Sequence, residues 1–207
     1  MKFSIQRKHI RAMLHLAAKK DIRYYLQGIN VVIDNRGTYL QATDGHIMGR
    51  LMISEEIKLQ NPKNVILPTE SLLKVKGTKK QGEEWLHFTV EGMVIECIAG
   101  DSTMRFASVD ARFPDCDRVL PLVLSSEDAA PSNFNPDLMV RFVDASEELF
   151  AKRQVPNLFQ RGNSSAVVSF SIDNSFVGVI MPMRDQEPGK VPQWCYVPTV
   201  KNEEVTV

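Results

Sequence analysis

Long apolar runs are missing from this chain. None approaches the roughly 18 residues that a membrane-spanning helix needs, and the opening Met1-Lys-Phe-Ser-Ile5 lacks the apolar stretch of a secretory signal. Net charge is missing too. The 25 Lys and Arg residues are matched by 25 Asp and Glu, so any nucleic-acid-facing role must come from local placement of charge. The three cysteines (Cys97, Cys116, Cys195) show no CxxC or Cys/His spacing, which argues against a zinc site and a disulfide framework. A reduced, cytoplasmic protein is expected. No P-loop or GxGxxG pattern is present, so nucleotide binding has no support. Asp44, His46 and Cys97 come nearest to a catalytic or metal-ligating group. No third ligand and no partnered nucleophile stand at a known spacing, so we expect neither enzyme, metal nor cofactor.

What is present is an ordinary globular composition, 43% apolar and 24% charged over 207 residues, enough for one large domain or two small ones. A short alternating run, Lys2 to Gln6, reads as a strand. From Arg7 to about Lys20 a helix is predicted, with Ile10, Met13, Leu14 and Ala17 on one face and Lys8, Arg11, His15 and Lys19 on another. Strands follow at Leu26–Ile33, Tyr39–Ala42 and Met48–Ile53, with a turn at Asp34-Asn-Arg-Gly37. A second round opens at Val65–Leu67. Thr69 is its expected helix N-cap, a lysine-rich helix runs to about Lys80, and strands are predicted at Trp85–Glu91, Val94–Ala99 and Met104–Val109. After a proline-bearing connector, Arg112 to Pro121, Asn135-Pro136 is an N-cap and first-turn pair for a third helix reaching about Lys152. Leu138, Phe142, Ala145 and Leu149 form its buried face; Arg141, Asp144, Glu147 and Glu148 form its exposed one. Strands at Ala166–Ile172 and Phe176–Met181, with a turn near Asp173-Asn174, complete a third and last round. The tail from Asp185 carries Pro, Gly and charge, while Trp194, Tyr196 and Val197 suggest that part of it packs.

Four strings in this order carry more information than any alone: Ile22-Arg-Tyr-Tyr-Leu-Gln-Gly28, Ala42-Thr-Asp-Gly-His46, Asp110-Ala-Arg-Phe-Pro-Asp-Cys-Asp-Arg-Val-Leu-Pro121 and Val179-Ile-Met-Pro-Met-Arg184. Together they resemble the bacterial DNA sliding clamp family, the beta subunit of DNA polymerase III, in a shortened form. The resemblance implies an α+β DNA clamp (processivity) fold built of strand–helix–three-strand repeats, about one and a half clamp domains. Residues 1–121 would be a complete domain like the clamp's middle one, 122–187 a half domain like the end of its last one, and 188–207 a tail.

The same resemblance implies a pocket for short partner peptides between the two domains. Arg23 and Leu26 would form one wall, and Thr43, Gly45, His46 and Met48 the floor. Pro114, Arg118 and Val119 would close one side, and Val179, Met181, Met183 and Arg184 the other. Ile47 stands where the family usually has arginine, and Met48 where it usually has leucine. The expected partners are a DNA polymerase or other replication protein carrying a Gln-Leu-x-Leu-Phe-like peptide, duplex DNA, and further copies of the chain. Lys8, Arg11, His15 and Lys19, with Lys74, Lys76, Lys79 and Lys80 of the second helix, are candidates to face DNA; a solvated helix face is the other reading. The acidic third helix speaks against a simple DNA-encircling role. Gln154-Val-Pro-Asn-Leu-Phe159 looks like a partner peptide itself, but is expected to be loop and strand.

Overall fold

The computed structural model describes residues 1–76, 84–120, 133–160 and 165–183. Three successive units fill it. The first is β1 (Lys2–Gln6), α1 (Arg7–Leu14), β2 (Gly28–Ile33), β3 (Thr38–Thr43) and β4 (Ile47–Ser54). The second is β5 (Lys63–Pro68), α2 (Thr69–Lys74), β6 (Trp85–Glu91), β7 (Val94–Ala99) and β8 (Ser102–Ala107). The third is α3 (Pro136–Phe150), β9 (Asn157–Gln160), β10 (Ala166–Phe170) and β11 (Asp173–Ile180). Each of the first two units gives its opening strand to the other's sheet: β1 pairs with β6, and β5 with β2. The halves are thereby interlocked. Two antiparallel sheets result, ordered β1-β6-β7-β8 and β5-β2-β3-β4-β11-β10-β9.

The third unit joins through β11 on β4, with Gly178 opposite Gly49. Neither position has room for a side chain. A Cβ on Gly49 would come within 2.2 Å of Leu16, and one on Gly178 within 2.5 Å of Phe142. The paired glycines let the helix layer close onto the seam. One apolar core therefore runs through all three units, from Ile5 and Met13 to Phe142 and Ile180, and α1 packs beside α3.

Several boundaries differ from expectation. α1 stops at Leu14, so Lys19 lies off the helix. The carbonyls of His15 and Ala17 are taken by the Arg141 guanidinium, at 2.6 and 2.9 Å, rather than by a continuing helix. Leu26 belongs to a 3₁₀ turn, Tyr24–Leu26, ahead of the strand. Thr69 is the first residue of α2 and not its cap; its N–H and hydroxyl both donate to the Gln27 carbonyl. That helix ends at Lys74, leaving Lys76 beyond it, while Lys79 and Lys80 lie outside the described residues. α3 has the expected Asn135 cap, accepting from Asp137 N at 2.9 Å, and stops where Ala151 turns left-handed. The last hairpin turns at Ser171–Ile172, and Asp173 already begins β11. Asn157–Gln160 is a strand, as expected for that segment.

His9 of α1 yields a test of the fold. Burial, with Lys8 adding to it and Asp173 opposing, pushes its pKa down to about 4, and its Nδ1 is buried with no partner among the described residues. The folded pKa lies below the unfolded one, so acid favours the unfolded chain. Stability is complete above the unfolded value and falls as pH drops from about 6.5 toward 4. Between pH 7.5 and 5 the loss should be about 2 kcal/mol. Urea titrations at both pH values on wild type and His9→Phe should show that share of the slope vanish in the variant; equal slopes would refute it.

Candidate functional site

The β3–β4 turn, Thr43-Asp-Gly-His46, is held by its own side chains. Thr43 Oγ1 accepts from Gly45 N at 3.0 Å and donates to the Ile47 carbonyl at 2.6 Å. Asp44 Oδ1 accepts from the N–H groups of His46 and Ile47 at 2.8 and 2.9 Å. Gly45 sits at φ +94°, against the Arg23 guanidinium, where a side chain would be strained and crowded. Arg23 reaches this position because Asp21 accepts from its backbone N–H and from two guanidinium nitrogens, at 2.7–3.0 Å. Its Nη2 also donates to the Asp44 carbonyl at 3.2 Å. These bonds hold the Asp21 carboxyl well below the usual carboxylate range. From the opposite side, Arg141 pairs with Asp44 Oδ2. Arg141 was expected on the exposed face of the third helix. It is turned inward instead, with its side chain 19% exposed.

Beside this turn lies a cavity of about 210 Å³ at the place where β11 joins β4. Leu26 and Tyr25 form one wall, and Ile47, Met48 and Val179 the floor. Pro114, Asp115, Cys116 and Val119 of the connector form the other wall, Met181 the end, and the exposed Arg23, Gly45 and His46 the rim, with Thr43 buried beneath them. A small apolar cluster of Met48, Ile66, Phe113, Cys116 and Val179 supports the floor. Met181 N donates to the His46 carbonyl at 2.9 Å, which joins the end of the third unit to the turn of the first.

Most of the residues named from the sequence strings meet here. Arg118 is on the connector turn but does not line the cavity. Met183 lies past it, 40% exposed, with its N–H on the Asn133 carbonyl. Arg184 lies outside the described residues. Ile47, singled out from the sequence as standing where the family usually has arginine, lines the cavity as well, and Tyr25, Asp115 and Cys116 line it without having been named as cavity residues. Tyr25 and Asp115 each adjoin a named residue and Cys116 lies between Pro114 and Arg118, so position within the quoted strings was the available signal. Burial pushes the Cys116 thiol up to about 11, so it serves as an apolar surface at neutral pH. Cys97 is buried in the other sheet, remote in topology from the Asp44 turn, and no cluster of His, Cys, Asp or Glu suited to a metal occurs among the described residues.

The basic residues of the helix layer are less uniform than their spacing suggests. Arg11 donates to Glu148 of α3 at 2.8 Å, and His15 lies 3.8 Å from the same carboxylate. Lys74 pairs with Glu70 at 2.5 Å. On the exposed side of α3, Asp144 and Glu147 are both engaged by Arg153. Among the described residues no helix is long and apolar enough to cross a membrane.

Comparison with known proteins bears on the fold. Residues 2–115 match the family model described as DNA polymerase III beta subunit, central domain. The beta sliding clamp of Pseudomonas aeruginosa is 27% identical over 125 residues, 58% of this chain and 34% of that protein. That of Salmonella typhimurium is 33% identical over 106 residues, covering 50% and 28% respectively. The chain thus spans about a third of the length of the curated relatives it matches. A crystal structure of the P. aeruginosa DNA polymerase sliding clamp superposes with a TM-score of 0.67 at 20% identity, over 89% of this chain and 66% of that one. A putative DNA polymerase III beta subunit from Eubacterium rectale gives 0.68 at 14% identity over the same shares. At these identities the likeness is one of fold, and it extends past the residues that the family model matches.

Proposed function

Because the chain belongs to the family of the DNA polymerase III beta subunit, whose central domain it matches over residues 2–115, we propose that it is a sliding-clamp-like replication processivity factor. It does no chemistry, and its cavity docks a short peptide of a polymerase or another replication protein. In this reading residues 1–121 act as the middle-type domain and 122–187 as a half domain. The observation that carries the reading is the cavity at the β4–β11 seam, where apolar Leu26, Met48, Val119, Val179 and Met181 lie beneath the exposed polar side chains of Arg23 and His46. Such a site takes two apolar side chains inside and one polar side chain at the edge, the pattern of a Gln-Leu-x-Leu-Phe peptide. Methionine at floor and end adapts to more than one such ligand. Burying a leucine and a phenylalanine contributes ~3–6 kcal/mol. The freedom lost on association offsets much of it, which leaves micromolar affinity.

The test is anisotropy of a fluorescent Gln-Leu-Ser-Leu-Phe peptide. Met181 is 38% exposed, so Met181→Ala should leave the fold intact and weaken binding about tenfold, the value of one buried methionine side chain. No saturation by the wild type at several hundred micromolar would remove the docking function.

A second reading has its own observation. Glu148 meets Arg11 and His15 on the helix layer, which reduces the positive field that a DNA-lined channel needs. The chain would then be a module that captures clamp-binding peptides without encircling DNA. Retention on circular but not linearised duplex DNA supports the first reading. Indifference to DNA topology, with peptide binding kept, supports the second. The first also requires association with further copies.

A further inference from the structure

On one face of β2, β3 and β4 the buried Tyr39 ring lies among charges. Arg36, in the β2–β3 turn, and Arg50, on β4, place their guanidinium carbons 5.1 and 5.0 Å from the centre of the Tyr39 ring. Two cations against one ring repel each other unless carboxylates lie between them. Asp34 serves Arg36, accepting from its Nε and Nη2 at 2.9 and 2.7 Å, and also accepts from the Tyr39 hydroxyl at 2.8 Å. The second carboxylate comes from elsewhere in the chain. Asp117 Oδ1 accepts from Arg36 Nη1 at 2.9 Å and from Arg50 Nη2 at 2.7 Å. Both bonds hold the Asp117 carboxyl below the usual carboxylate range.

Asp117 belongs to the connector, on the 3₁₀ turn Cys116–Val119. Its sequence neighbours Asp115 and Cys116, with Pro114 and Val119, are one wall of the peptide cavity, whereas Met48 of the floor is two residues from Arg50 on β4. Among the described residues these two ion pairs are the ones that tie the connector to the sheet. An isolated pair this exposed contributes little, since the Asp117 side chain is 53% accessible. Here the partner Arg50 is only 14% accessible, and one oxygen satisfies two fixed donors.

We propose that Asp117 is a positioning residue for the cavity: by bridging Arg36 and Arg50 it sets how far the Pro114–Val119 wall stands from the Met48–Val179 floor, and so sets the affinity for an apolar peptide. The proposal rests on the peptide-docking reading above. Phe113 and Cys116 are buried on their own account, so the connector stays in place without the bridge but no longer at a fixed spacing.

Asp117→Asn keeps the shape and removes the charge; Asp117→Glu keeps the charge on a longer arm. At low salt the asparagine variant should bind the Gln-Leu-Ser-Leu-Phe peptide about five- to tenfold more weakly than wild type, with glutamate between the two. Hydrogen exchange at the amides of residues 116–119 should rise in the same order, with the thermal midpoint unchanged. Raising NaCl to about 1 M screens the bridge and should bring wild type down to the asparagine variant. A merely structural aspartate would show no such convergence. Equal affinity of wild type and Asp117→Asn at low salt would overturn the proposal alone. Failure of the wild type to bind would overturn the docking reading and this proposal with it, while faster exchange in Asp117→Asn would still report the bridge itself.

Discussion

Replacing Phe142 by alanine is expected to destabilise the fold by about 3–5 kcal/mol, among the largest effects of any single truncation in the chain. Phe142 is completely buried. Its ring stands edge-on to Phe176 at 6.2 Å, and Phe176 in turn lies 5.2 Å from Phe170. Beneath it is Gly178, where even a Cβ would collide with the ring. Removing the ring therefore leaves a void over a residue with no side chain to fill it, and the opposite strand offers only Gly49 in register. Sites that cannot collapse lie at the high end of the range. Urea unfolding should show the midpoint fall with its slope retained, because the third unit shares one core with the first. A loss under about 1 kcal/mol would show that the third unit is not seated through this contact, since a buried Phe→Ala change ordinarily costs several times that.

That seam is also where the sequence was least readable. Local pattern is carried by neighbours a few residues apart, and it placed the face of α1 through Ile10 and Met13, the Asn135-Pro136 start of α3, and β6 and β7 to the residue. Sheet order has no such carrier. Nothing near Lys2 or Lys63 says that β1 leaves for β6 and β5 for β2. Nothing in Gly49 or Gly178 says that they face each other, because a glycine in a strand reads as a weak point until its neighbours are known. The cavity draws on segments around residues 25, 45, 116 and 180, which only their resemblance to a family brought together on paper. The charge stripe on α1 shows the converse failure: spacing located Lys8 and Arg11 correctly on the helix, with His15 at its cap, and the carboxylate that meets Arg11 and His15 arrives from a helix more than a hundred residues away. Tyr39 between two arginines is of the same kind, since its counter-charge comes from the connector.

Arg141→Ala should be nearly as costly as the loss of Phe142, about 2–4 kcal/mol, and should act on the cavity as well. The guanidinium does three things at once: it donates from Nε to the His15 carbonyl, from Nη2 to the Ala17 carbonyl, and pairs through Nη1 with Asp44. The first two partners are carbonyls past the last turn of α1, which no helical N–H reaches. The third is a carboxylate only 13% exposed. Without Arg141 it is left to the N–H groups of His46 and Ile47, and a largely buried charge that loses its partner is worse off than one that never had it. Lysine cannot substitute fully, because one ammonium does not span three acceptors that a planar fork reaches together. Arg141→Lys should accordingly recover less than half of the loss. Because Asp44 anchors the turn that forms the cavity rim, the alanine variant should also bind the partner peptide more weakly at temperatures where it is still folded. The pairing itself is measured by a double-mutant cycle with Asp44→Asn, for which a coupling above about 1 kcal/mol is expected. A coupling near zero, with Arg141→Ala costing under about 0.5 kcal/mol, would mean that the side chain behaves as a surface charge. The turn would then owe its shape to its own bonds, from Thr43 and from Asp44 Oδ1, without help from α3.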